Sequence, residues 1–199
     1  MVVHIPLDRL DAAFLAAGST ALGLIRRSEI SDQWAAPSVL PKMSVGALAC
    51  HLGRQPVRAA ELLPVATDVL PLDSADAHYD SAAWVTASSP DDPPKDRSAD
   101  DAEAELGPGA LNDRTVAALE AVRRLLEDGS ARNVVLIPWQ GWSLGRGDFL
   151  LTACWRSSCI VTTSRKASAS RHPSSRTRSS HQCGTCWFAS PWVGTASPQ

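Results

Sequence analysis

The chain divides near residue 153 into two stretches of different composition. From Ala153 onward the sequence has no aspartate or glutamate, yet this stretch holds six of the 19 lysines and arginines, four of the five cysteines and three of the seven tryptophans. Residues 1–152 therefore carry a formal charge of −8 and residues 153–199 a charge of +6. Because a single domain rarely changes composition so abruptly, we predict one folded domain over 1–152 and an irregular Ser- and Arg-rich tail over 153–199.

The overall composition excludes several classes of protein. With 199 residues, 44% of them hydrophobic, the chain is long enough for one domain with a real core. A net charge of −2 argues against a nucleic-acid-binding protein. No apolar run approaches the roughly 20 residues needed to cross a bilayer, and the N-terminus lacks the layout of a signal peptide. We therefore expect a cytoplasmic protein that binds neither nucleic acid nor membrane.

Apolar residues recur at helical spacing in most of residues 1–152, which predicts an all-α bundle. Ser44 is a candidate N-cap for the second helix and Asn112 for a later one, and Pro56 predicts a kink or restart. The stretch 88–101 is predicted as an acidic loop, and 133–142 as a short extended segment. The predicted helices span 6–31, the region after Ser44, 75–85, 112–128 and 143–152.

Four segments, in order, carry a resemblance to a known family. They are "WAAPSVLPKMSVGALACHLGRQ" (34–55), "HYDSAAWV" (78–85), "NVVLIPWQGWSL" (133–144) and "GDFLLT" (147–152). Together they resemble the DinB-like superfamily, and within it the branch that contains mycothiol-dependent maleylpyruvate isomerase. The resemblance covers essentially all of residues 1–152.

This resemblance implies a four-helix bundle with a divalent metal, usually zinc, near one end of its core. One metal ligand in the family corresponds to His51, and the other two are a Glu and a His four residues apart, in a segment like "ExVVHxDDLA" directly after "DFLLT". Residues four apart share a helix face and can converge on one ion. The resemblance also implies a small-molecule substrate and a thiol cofactor, which is mycothiol in the branch named above, with isomerase or S-transferase activity.

The Glu–His pair is missing from this chain. Nothing acidic follows Asp148, and the only later histidines are His172 and His181. We hypothesise that a change of reading frame near residue 152 caused the loss. If synonymous codons are chosen freely, the codons from Ala153 onward can encode "MLEIVVHSDDLA" in a second frame. That string restores the Glu and the His, so the last helix is predicted to be truncated or replaced here.

Several alternatives stay open. One alternative is a non-catalytic helical remnant of the family without bound metal, in which His51 is a core histidine. Cys159 lies close to the lost histidine and is a possible substitute ligand. The CxxC of Cys183 and Cys186 permits a zinc or redox site, and the basic tail permits a nucleic-acid-binding arm. His78 and Trp84 are candidates for lining a substrate pocket or for simple packing.

Overall fold

The computed structural model describes residues 6–89, 92–93 and 96–155. Within these ranges the chain is mainly helical, which confirms the predicted helical class, but it also contains a small three-stranded sheet that an all-α fold does not allow for. No helix in the described part of the chain is long and apolar enough to cross a membrane. The predictions for Cys159, His172, His181 and the CxxC pair lie outside the described residues.

The helices follow the chain in a simple order. The two longest are α7 and α1, and α8 begins directly after the last strand and is described as far as residue 155. The bounds are α1 Leu7–Ile25, α2 Ser28–Asp32, α3 Val45–Leu62, α4 Ala75–Ser81, α5 Ala83–Thr86, α6 Ser98–Ala104, α7 Gly107–Glu127 and α8 146–155.

The sheet was predicted only in part, as one extended segment over 133–142, and strand β1 was not predicted. Strands β1 (Pro71–Leu72), β2 (Val134–Ile137) and β3 (Trp142–Gly145) lie in the order β1-β3-β2, with β2 antiparallel and β1 parallel to β3. The turn between β2 and β3 passes through Gly141 at φ +80°, a conformation that favours glycine. The predicted extended segment is therefore a hairpin, and the first residues of the predicted last helix belong to β3.

Helix α3 is the centre of the fold and packs against α1, α6 and α7. Its Ser44 accepts a hydrogen bond from the Ala47 amide at 3.0 Å, which confirms the predicted N-cap. The helix continues through Pro56 without a restart. One buried cluster joins the C-terminal half of α3 to the sheet and α8, and another joins its N-terminal half to α1 and α7.

Several helix boundaries differ from the prediction. The predicted helix over 75–85 is divided into α4 and α5 at Ala82, where ψ is 115°. The chain leaves helical geometry at Arg27, with ψ 136°, so the predicted helix over 6–31 is divided into α1 and α2. Helix α7 begins at Gly107, and Asn112 lies inside it rather than capping it. The Asn112 side chain instead accepts a hydrogen bond from Arg26 Nε at 2.7 Å, a contact between α7 and the end of α1. A residue with good capping chemistry was thus used for tertiary packing.

Two glycines provide a matched test of how closely α3 and α7 approach. A Cβ at Gly53 would lie 2.7 Å from Leu111 Cδ1 and 2.8 Å from Thr115 Oγ1, whereas a Cβ at Gly23 meets nothing within 4 Å. We expect Gly53→Ala to lower the free energy of unfolding by about 1–3 kcal/mol through overpacking. Gly23→Ala should raise it by up to about 1 kcal/mol, since alanine is the better helix former. Urea unfolding of both variants measures this, and equal effects would contradict the close approach.

Candidate functional site

The predicted metal ligand His51 lies in the second turn of α3, with 22% of its side chain exposed. Its Nδ1 is 3.0 Å from Oδ2 of Asp100, which lies on α6 and is 2% exposed. When the carboxylate is ionised it only accepts hydrogen bonds, so Nδ1–H is the donor, and in the neutral tautomer that makes this contact the lone pair is on Nε2. The imidazole is therefore held by one nitrogen, and its other nitrogen has the lone pair that a metal ion or a proton would take.

A network of charged side chains surrounds this contact. Arg54, one turn after His51, places Nη2 at 2.8 Å from Oδ1 of Asp100 and 3.3 Å from Oε2 of Glu103. The Arg54–Asp100 pair is close, but it lacks the alignment of a hydrogen bond. Arg114 on α7 donates to the same Glu103 oxygen at 2.7 Å. The network ties α3, α6 and α7 together at the level of His51.

The sequence did not predict Asp100 as a site residue, because residues 88–101 were predicted to form a loop. Residues 98–101 in fact begin α6, and Asp100 and Asp101 lie in its first turn. Acidic residues there interact favourably with the positive end of the helix dipole. That pattern was a usable signal for the helix, but no local pattern shows that one of two adjacent aspartates is buried against a histidine.

The described residues contain two thiols, Cys50 and Cys154, and both are at least partly buried. Burial, with a smaller contribution from Glu103, raises the pKa of Cys50 to about 12. Burial also raises the pKa of Cys154. Because the thiolate is the form that binds metal or attacks as a nucleophile, both groups stay protonated and unreactive near neutral pH.

A second feature is a shallow cleft bounded by α3, α4, the β2–β3 turn and α8. Its empty volume of about 350 Å³ includes open solvent, and a water-sized sphere can occupy only about 30 Å³ of it. Its walls combine apolar and polar side chains. The lining residues are Gln55, Arg58, His78, Ile137, Trp139, Phe149, Thr152 and Ala153. Gln55 follows His51 by one helical turn and donates from Nε2 to the His51 carbonyl at 3.3 Å. The cleft is thus adjacent to the helical turn that carries His51.

His78 and Trp84, the candidates for pocket lining, have different surroundings. His78 is 2% exposed, lines the cleft and accepts a hydrogen bond from Trp142 Nε1 at 3.2 Å. Trp84 lies edge-on to Tyr79, with ring centroids 5.8 Å apart. Of the two residues, the described lining includes only His78.

The described residues do not complete the metal site that the resemblance implies. Within residues 6–89, 92–93 and 96–155, no group of three or more His, Cys, Asp or Glu side chains is placed to hold a metal ion. Two features remain as candidate functional groups, the His51–Asp100 pair and the adjacent cleft. No protein-family model, curated protein or solved structure matches this chain.

Proposed function

We propose that residues 1–152 are a DinB-like domain of the mycothiol-dependent maleylpyruvate isomerase branch, whose complete form is a zinc-type, thiol-cofactor isomerase or S-transferase. In this chain His51 is the one metal ligand that survives. The observation that carries the proposal is the hydrogen bond between His51 and the buried Asp100.

That hydrogen bond has the form that metal-binding histidines usually show. Such histidines donate their second ring N–H to a carboxylate or carbonyl, which fixes the tautomer and the ring orientation. Here the carboxylate comes from another helix and is almost fully buried. The Arg54 guanidinium, 2.8 Å from Asp100 Oδ1, compensates the charge of this buried carboxylate, so Asp100 can hold the His51 ring without being an isolated buried charge.

The position of α8 also supports the proposal. Phe149, Thr152 and Ala153 share the cleft with Gln55 and Arg58 of α3, so α8 borders the part of α3 that follows His51. In the second reading frame the Glu falls at the position of Trp155 and the His four residues later. Both ligands would then continue the helix that already lies beside α3.

The residues present in this chain do not fit a complete zinc site. His51 is one imidazole, its Asp100 neighbour is engaged by Arg54, and no acidic residue follows Asp148 in the sequence. Structural and catalytic zinc sites use three or four protein ligands. The missing carboxylate favours the second candidate for the chain as it stands, a non-catalytic remnant of the family that holds no metal.

The zinc contents of this chain and of a frame-restored version test the proposed family function and the remnant account separately. We expect near-zero zinc in this polypeptide after dialysis against micromolar zinc and buffer, and about one zinc per chain in a frame-restored version that regains the Glu–His pair. The matched control is His51→Ala in the frame-restored chain, which should lose the metal. Equal, near-zero metal in the two parent chains would remove the proposed family function, and about one zinc in the present chain would remove the remnant account.

A further inference from the structure

Helix α4 and the residue before its cap carry three exposed carboxylates. Asp73 precedes the Ser74 cap, and Asp76 and Asp80 lie four residues apart, so these last two share one face of the helix. No described lysine, arginine or histidine forms an ion pair with any of the three. Because like charges at this spacing repel each other, a cation placed between them is bound favourably.

The same helix packs against the last described turn of α8. The Tyr79 hydroxyl donates to the Thr152 carbonyl at 3.4 Å, and the Tyr79 ring centroid lies 6.5 Å from that of Trp155, which is 41% exposed. Since Tyr79 is the residue before Asp80, an exposed indole lies beside the carboxylates of α4. We call the surface made by Asp73, Asp76, Tyr79, Asp80 and Trp155 the α4–α8 face.

Carboxylates beside aromatic rings are surroundings that suit arginine. The guanidinium donates hydrogen bonds to carboxylates from its edge, and its flat face stacks on a tryptophan or tyrosine ring. A lysine uses the charge without the planar fork, and an acidic segment is repelled. The chemistry of the α4–α8 face therefore favours an arginine-rich occupant.

The chain itself contains such a segment. Residues 165–178 carry four arginines, one lysine and no acidic residue. The segment begins ten residues after Trp155, and ten residues of chain span at most about 35 Å. Being on the same chain gives the segment an effective concentration on the order of millimolar near the face, so that individually weak contacts are enough to hold it there.

We propose that residues 165–178 dock on the α4–α8 face of their own chain, with arginine side chains paired to Asp73, Asp76 and Asp80 and stacked on Trp155. Residues 1–152 carry a formal charge of −8 and residues 153–199 a charge of +6, so the contact joins surfaces of opposite charge. The acidic domain repels nucleic acid, which disfavours it as the partner of these arginines. The inference goes beyond the proposed function and requires no metal ion.

Trypsin cleavage after the basic residues of 165–178 measures the docking. The full chain is compared with a free peptide of residues 160–182, which has the same cleavage sites but lacks the acidic domain. One exposed ion pair changes an equilibrium by a factor of about 1.5 to 5, so at low salt we expect cleavage to be about three- to tenfold slower in the chain than in the peptide. Near 1 M salt, where the Debye length falls to about 3 Å, the two rates should become equal.

Two triple variants of equal charge then locate the contact. The first removes the carboxylates of the α4–α8 face and should abolish the protection at low salt, through Asp73→Asn, Asp76→Asn and Asp80→Asn. The control removes three exposed carboxylates of α7 and should keep most of the protection, through Asp113→Asn, Glu120→Gln and Glu127→Gln. Thermal unfolding checks both, and if the first does not fold, the single variants Asp76→Asn and Asp80→Asn replace it, each with a partial loss of protection.

Several outcomes overturn the proposal. Equal cleavage rates of chain and peptide at low salt would show that residues 165–178 are not held. Protection that persists near 1 M salt, or that falls equally in the two triple variants, would show that the carboxylates of the α4–α8 face are not responsible. Protection lost on dilution or on nuclease treatment would assign the segment to a second copy or to nucleic acid. None of these results depends on zinc, so this proposal and the proposed function fail separately.

Discussion

Replacement of Asp100 by asparagine is expected to lower the free energy of unfolding by about 3 kcal/mol. The Asp100 carboxylate is 2% exposed and lies within 3.0 Å of His51 and 2.8 Å of Arg54. Asparagine keeps the size of the side chain but removes the charge that opposes the largely buried Arg54 guanidinium. Removing one member of a buried ion pair typically costs about 3–5 kcal/mol, and Glu103, which stays 3.3 Å from Arg54, should keep the loss near the lower end.

Asp101→Asn is the matched control for this prediction. Asp101 is the next residue of α6 and is exposed, so the same chemical change should alter stability by no more than about 0.5 kcal/mol. Urea unfolding of both variants provides the measurement. If the two changes have equal, small effects, the buried carboxylate does not stabilise the contact between α3 and α6, and the support it lends to a special role for His51 is lost.

Leu150→Ala should be about as destabilising, with a loss of about 2–5 kcal/mol. Leu150 is fully buried in the cluster that joins the C-terminal half of α3 to the sheet and α8. The substitution removes the apolar contacts and leaves a cavity that close-packed neighbours fill only partly. The prediction matters because α8 carries the boundary at which the composition of the chain changes.

Leu151→Ala supplies the comparison within the same helix. Leu151 is 37% exposed, so its truncation should cost less than about 1 kcal/mol. Thermal or urea unfolding of the two variants would show whether the beginning of α8 is docked as described. If the two variants lose equally little unfolding free energy, α8 is not part of the cooperative core. That result is expected of a more extensively unfolded remnant.

Repetitive and local features of the fold were predictable from the sequence. The apolar stripes of α1, α3 and α7 and the cap at Ser44 depend on residues three or four apart, and the structure contains all of them. The predicted domain boundary after residue 152 differs from the structure, because α8 continues to residue 155 and Ala153 is buried in the core. Alanine is compatible with a helix whether the helix ends at residue 152 or continues beyond it, so composition could not predict where α8 ends.

The sequence alone determined that the chain is mainly helical, that its acidic and acid-free stretches meet near residue 153, and that His51 stands on a helix without the Glu–His pair of the family it resembles. These properties are local or compositional, and they can be read without knowing which helices touch. Only the tertiary structure decided that Asp100 holds the His51 ring, that Asn112 binds Arg26 instead of capping α7, and that Arg58 meets Trp139 across 81 positions of chain. Such contacts join residues far apart in sequence, and their free energy depends on burial and distance, which no single segment encodes.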